Sequence, residues 1–171
     1  MLNKRIEKRT SAILEELKIE KLPIPVHKVA ESLGLVIKPY DLGEEISGVL
    51  VIEEGQGIIG FNPNESTVRQ RFTIAHELGH YELHKDGNEL FVDKNFKVLF
   101  RNQNSSTGEI VKEQEANAFA AALLMPEHFI RREIEKNSFD LTDEGTMKKL
   151  ARAFNVSVPA MTYRISNLGL F

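Results

Sequence analysis

The chain contains no cysteine. Disulfides and any thiolate-held metal are therefore excluded, and a metal in this protein has to be held by histidine, aspartate or glutamate. The same absence fits a reducing compartment. Excess positive charge is missing too: 22 Lys and Arg against 25 Asp and Glu leave a net charge of −3. The whole chain thus has no general electrostatic pull toward nucleic acid or anionic lipid. No apolar run approaches the roughly 18 residues that span a bilayer. The opening MLNKRIEKRTSAILEEL mixes charges of both signs and lacks the apolar core of a secretory signal. These absences predict a soluble, cytoplasmic protein with no membrane partner. Internal repeats and low-complexity tracts are also lacking, as is any strand, glycine-rich turn and helix unit of the nucleotide-binding kind.

What is present suits an ordinary globular chain. Hydrophobic residues make up 42% and charged residues 27% of 171 positions, enough to bury a core without covalent staples. Apolar Ile6, Ile13, Leu14 and Leu17 predict a helix from Leu2 to about Lys18, broken by Pro23 and Pro25. A short helix follows with Val26, Val29, Ala30 and Leu33 on one side, and Gly34 is placed to end it. Leu35-Val36-Ile37 reads as a strand. Val49 to Ile52 and Ile58 to Phe61 read as a hairpin around a loop at Glu53 to Gly57. Asn64 is a candidate helix cap before a helical stretch from Glu65 to about Lys85. Phe91 to Phe100 looks extended, with Phe91, Phe96 and Phe100 assigned to core cover. Asn102 to Gly108 reads as a polar loop, and Glu109 to Leu124 as an alanine-rich helix stopped by Pro126. Further helices are expected near 127–136, 146–154 and 158–167. Helices, then a small sheet, then helices argue for an α+β fold and against a parallel doubly wound sheet. We expect one domain over residues 1–171: N-terminal helices in 1–34, the sheet and the helices that carry the chemistry in 35–126, and a helical C-terminal part in 127–171.

The chemistry centres on His76-Glu77-Leu78-Gly79-His80. Four helical residues turn through about 400° and rise about 6 Å, so His76 and His80 share one face. That spacing suits two nitrogen ligands on one zinc ion. Glu77, beside His76, can reach a water on the metal without being a ligand, as metal-assisted hydrolysis with a carboxylate base requires. A third protein ligand is needed, with a fourth position left open. His84, Glu113 and Glu115 are the candidates. A straight helix does not curl three successive turns around one ion, so His84 reads better as a packing residue or as support to the ligands. Glu113 and Asn117 share a face of the next helix. One can ligate while the other orients a ligand histidine through its second nitrogen. Glu115 points roughly 200° away from Glu113, and spacing leaves both glutamates open.

These residues resemble the ImmA/IrrE family of metallopeptidases. The likeness is carried by Arg69 to Tyr81 (RQRFTIAHELGHY) with His84 following, by Glu113 to Asn117, by Phe119-Ala120-Ala121 and by Leu123 to Pro126. Ser47 to Leu50, Leu150-Ala151, Phe154, Val156-Ser157 and Arg164 to Leu170 also match, so the likeness runs from about Pro23 to the end. The resemblance implies a zincin-like fold, with a small sheet packed on the active-site helix and further helices at both ends. It places the third ligand at Glu113. It implies one zinc ion per chain and a protein substrate, a helix-turn-helix transcriptional repressor of mobile-element or stress loci, whose cleavage lifts repression. A site of two histidines and one glutamate also accepts manganese or iron.

In this reading Glu77 is the general base and His76, His80 and Glu113 hold the metal. Asn117, His84 and Tyr81 are candidates for orienting a ligand or stabilising the oxyanion; Tyr163 and Arg164 are chemically able as well. An extended substrate could pair with the strand ending at Phe61. Arg69 and Arg71 are assigned to solvated or acid-paired roles rather than to substrate contact, and Met125-Pro126 to packing and helix termination. Two rival functions exist. Lys148, Lys149, Arg152 and Arg164, with no acid between Met147 and Leu170, lie in a helix-turn-helix-like segment that could serve a DNA-binding regulator; the acidic whole-chain charge argues against it. The other rival is a zinc-bound interaction module without catalysis, for which Glu77 would be superfluous.

Overall fold

The computed structural model describes residues 2–85, 90–94, 107–141 and 143–170. Helix α1 (Leu2–Glu16) and α2 (Val26–Ser32) precede strands β1 (Val36–Pro39), β2 (Ile46–Glu53) and β3 (Gln56–Phe61). Helix α3 (Thr67–His84), strand β4 (Leu90–Lys94) and helices α4 (Thr107–Leu124), α5 (Glu127–Asn137), α6 (Glu144–Phe154) and α7 (Val158–Asn167) follow. The chain is α+β, as its pattern predicts, and no helix among the described residues is long and apolar enough to cross a membrane.

Two compact units are present, one of Val26–Ala120 and one of the flanking residues up to Pro25 and from Ala121 onward. The first contains a four-stranded sheet ordered β1-β3-β2-β4. β1 runs parallel to β3, while β2 is antiparallel to β3 and β4. Central Leu50 and Ile59 face each other across β2 and β3 and are fully buried, so one face of the sheet packs inward with the period of two that strands impose. Helix α3 lies on β2 and β3, and α2 packs against α3 and β1. From Thr73 to His80 every residue of α3 is buried, so this segment has no solvated face and shows little amphipathic pattern.

Local details depart from the sequence expectations for identifiable reasons. The β2–β3 loop is shorter than Glu53 to Gly57. Glu54 (φ 50) and Gly55 (φ 81) both take positive φ, which makes a two-residue hairpin turn and extends the ladder to Glu53 opposite Gln56. Asn64 is not the cap of α3. Its N–H bonds to Asn62 Oδ1 at 3.0 Å, and Ser66 caps the helix by accepting from Arg69 N. Strand β3 lies between β1 and β2, so Phe61 ends an interior strand with no free edge for a substrate to join; among the described residues β1 and β4 are the edges. Residues 107 and 108 extend α4 where a loop was expected. The remainder of that expected loop, together with 95–100 of the expected Phe91 to Phe100 extended stretch, lies outside the described residues.

The second unit is helical. Ile6, Ile13 and Leu14 of α1, Phe129 and Ile130 of α5, Leu150 and Phe154 of α6 and Met161 and Ile165 of α7 are buried. Arg164 is buried with them, and both of its terminal nitrogens are held by the Glu7 carboxylate while Nε donates to the Met125 carbonyl at 3.0 Å. Met125 is buried and Pro126 sits at the N-cap of α5, so this pair packs and punctuates. Asp143 and Ser157 cap α6 and α7, and Asn155 ends α6 in the left-handed region.

Candidate active site

Helix α3 brings His76 and His80 onto one face, as their spacing requires, and α4 crosses that face. The crossing is close because position 79 is glycine. A Cβ there would stand 3.0 Å from Phe119 Cβ and 3.1 Å from both Cα and O of Ala116. Any side chain at 79 would have to push this backbone away by a few tenths of an ångström, and that backbone carries Asn117 next to Ala116 and Glu113 about one turn before it. Gly79 therefore costs helix propensity of about 1 kcal/mol relative to alanine and in return lets the two helices meet at the site.

At the crossing, three side chains converge. His76 Nε2 and His80 Nε2 are 3.1 Å apart. Glu113 Oε2 is 3.3 Å from the first and Oε1 is 3.1 Å from the second. A tetrahedron with metal–ligand bonds of about 2.0–2.1 Å has edges of about 3.3–3.4 Å, so these separations are close to those of a tetrahedral site, and among the described residues no fourth ligating side chain joins the group. The His76 ring is oriented from behind: its Nδ1–H donates to Asn117 Oδ1 at 3.0 Å, which leaves the Nε2 lone pair directed at the cluster. Both histidines are almost fully buried. Burial pushes the Glu113 carboxyl up, but hydrogen bonds from His76 and His80, and their charge, outweigh it and hold it at about 2. Glu113 is thus a carboxylate throughout the neutral range. Two imidazoles and one carboxylate at these distances fit a divalent cation; among the described residues this is the one group of three such side chains close enough to hold it.

The structure separates Glu113 from its rival. Glu115 Oε2 pairs with His84 Nε2 at 3.2 Å, one helical turn further along α3, and takes no part in the triangle. Burial lowers the His84 pKa, with the Glu115 carboxylate acting in the opposite sense. The Tyr81 ring rests 3.0 Å from where a Gly57 Cβ would be, with Lys85 Nζ 4.9 Å from its centroid. Glu77 is fully buried. Arg69 lies 3.8 Å from Glu65 and donates to Ser47, in keeping with its assignment to pairing. Arg164 is already engaged by Glu7, and Tyr163 is 69% exposed. Sequence reasoning passed over Gly79 as a crossing point and Gly48 as a neighbour of Glu77. The signal for the first was a lone glycine in an otherwise glycine-free helix.

Replacing Asn117 by alanine removes the acceptor that fixes the His76 ring. We expect metal affinity to fall by about 10- to 100-fold with little change in fold, measured by competition with a chelator of known affinity. Unchanged affinity would show that the ring needs no such support.

Comparison with known proteins follows this geometry. A peptidase family model described as IrrE N-terminal-like domain matches residues 30–166. Metallopeptidase ImmA of Bacillus subtilis is 27% identical over 146 residues, covering 85% of this chain and 78% of that protein. An uncharacterized immunity region protein of Bacillus phage phi105 is 28% identical over 121 residues, covering 71% of this chain and 70% of its own. A solved structure of a Mycobacterium tuberculosis transcriptional regulator superposes with a TM-score of 0.60 over 96% of this chain at 16% identity. That likeness concerns fold alone, and this chain spans 46% of that longer protein.

Proposed function

The chain belongs to the peptidase family described as IrrE N-terminal-like domain, and from that premise we propose that it is a zinc-dependent endopeptidase in which His76, His80 and Glu113 hold the metal and Glu77 is the general base. The observation that carries this reading is the convergence of His76, His80 and Glu113, with their ligand atoms 3.1–3.3 Å apart. Zinc bound there would lower the pKa of a water and polarise the scissile carbonyl. Glu77 takes a proton from the attacking water as the carbon–oxygen bond forms, and delivers it to the amine nitrogen as the carbon–nitrogen bond breaks. Asn117 keeps His76 in the tautomer that leaves Nε2 available. Manganese or iron suits the same donors, and zinc is the ion we expect.

The proposed substrate is a helix-turn-helix transcriptional repressor, cleaved in the cytoplasm to lift repression. The names of the two relatives, a metallopeptidase and a phage immunity region protein, support a peptidase working among genes of a mobile element. The DNA-binding alternative loses one of its four cations, because Arg164 is buried against Glu7. The test is to incubate the zinc-loaded protein with repressors encoded beside its own gene. We expect one discrete cut, abolished by a chelator. A protein that holds one zinc, leaves every such repressor intact and binds DNA with steep salt dependence would move the function to α6 and α7.

A further inference from the structure

Strand β2 reads Ile-Ser-Gly-Val-Leu-Val-Ile-Glu, and its alternation fails at one place: Ser47 and Gly48 are both buried. The cause is a bulge. Ile46 pairs with Lys94 and Gly48 with Asp93, so Ser47 is an extra residue on this strand. The bulge is bolted to the start of α3. Ser47 Oγ donates to Glu65 Oε1 at 2.8 Å and accepts from Arg69 Nη2 at 2.9 Å, and the Ser47 carbonyl accepts from Asn62 N at 2.9 Å. Held there, the next residue lies directly on α3. A Cβ on Gly48 would stand 2.3 Å from Thr73 Cγ2, 3.1 Å from Glu77 Oε1 and 3.3 Å from the Gly60 carbonyl. Thr73 and Glu77 are four apart and share a face of the helix. Gly48 is not among the glycines with positive φ, so its backbone is open to any residue; what glycine supplies is space.

We propose that Gly48 is a positioning residue for Glu77, its missing side chain leaving the room in which the carboxylate is set for proton transfer. This inference rests on the peptidase reading for its functional consequence, and on the coordinates alone for the contact. A general base displaced by about 1 Å can cost about 100-fold in rate. The Ser47–Glu65–Arg69 network serves the same end by fixing where the strand meets the helix.

Two contacts at Gly48 can be separated by mutation. Thr73→Ser deletes the methyl that blocks a residue at 48, while the Glu77 oxygen stays at 3.1 Å from the new Cβ. The experiment compares Gly48→Ala/Thr73→Ser with Thr73→Ser, in chains carrying Glu77 and in chains carrying Glu77→Ala. Readouts are Tm, zinc per chain and, for the chains with Glu77, kcat and KM on the repressor cut by the wild type. The Glu77 oxygen has to give by a few tenths of an ångström, so we expect zinc to be retained, kcat to fall several-fold and by at most about 100-fold, and KM to stay put. The alanine at 48 should lower Tm more when Glu77 is present than when it is absent, where only the Gly60 carbonyl at 3.3 Å still crowds it; that difference is the coupling that marks direct contact. An equal Tm loss in both backgrounds with wild-type kcat would overturn the proposal and leave Gly48 a packing residue only. Coupling in Tm with a wild type that cleaves nothing would instead overturn the peptidase reading and uphold the contact.

Discussion

Glu77→Gln is expected to abolish cleavage while leaving the metal in place. Glutamine keeps the size and most of the shape of the side chain, so a fully buried position is filled without a cavity. It cannot take a proton. General base catalysis contributes about 10²- to 10⁴-fold, or about 3–5 kcal/mol of barrier at 1.36 kcal/mol per tenfold. Glu77 is outside the triangle formed by His76, His80 and Glu113, so zinc per chain should not change. The measurement is kcat/KM on the cleaved repressor beside metal content by atomic emission. Cleavage at the wild-type rate would remove Glu77 from the mechanism. A wild type and a Glu77→Gln variant equally inert toward every repressor, each with one zinc, would favour the non-catalytic interaction module.

His80→Ala should have the larger effect on the metal. Its Nε2 is 3.1 Å from both other donors, so its removal opens two edges of the triangle and leaves two ligands where a zinc site needs three from the protein. Zinc should fall from about one per wild-type chain to none after dialysis. The consequence extends to stability. An ion that binds only the folded state adds about 4 kcal/mol at about 1,000 times its Kd, so zinc should raise the wild-type Tm and leave that of His80→Ala where it was. A variant that keeps its zinc and its Tm response would place the ion elsewhere in the protein.

The parts of this site that could be read from the chain are those set by distance along one helix. His76 and His80 share a face because four residues nearly complete a turn, whatever surrounds the helix. Glu113 and Asn117 share a face for the same reason. The helix-stopping residues Gly34 and Pro126 act through their own backbone preferences, so element order and fold class followed from local chemistry, whereas the hairpin turn tightened to Glu54-Gly55 inside the loop read from Glu53 to Gly57. Asn64 misled because it and Ser66 are both good caps, and the choice turned on Asn62, which engages the Asn64 N–H.

What the sequence by itself determined, then, is the pair of histidines on one helical face, the acid between them in sequence, and the α+β order of elements. Each is fixed by interactions between residues a few positions apart. Only the tertiary structure decided which glutamate meets the histidines. Glu113 and Glu115 lie on opposite sides of the same helix, and the rotation of α4 is set where Gly79 admits the backbone at Ala116. The tertiary structure also decided that β3 is interior, because β1 pairs in parallel with its edge away from β2. Finally, it decided that Gly48 faces Glu77, because a bulge held by Ser47, Glu65 and Arg69 fixes that register. These outcomes depend on contacts between residues far apart in the chain, where packing and not local preference selects the arrangement.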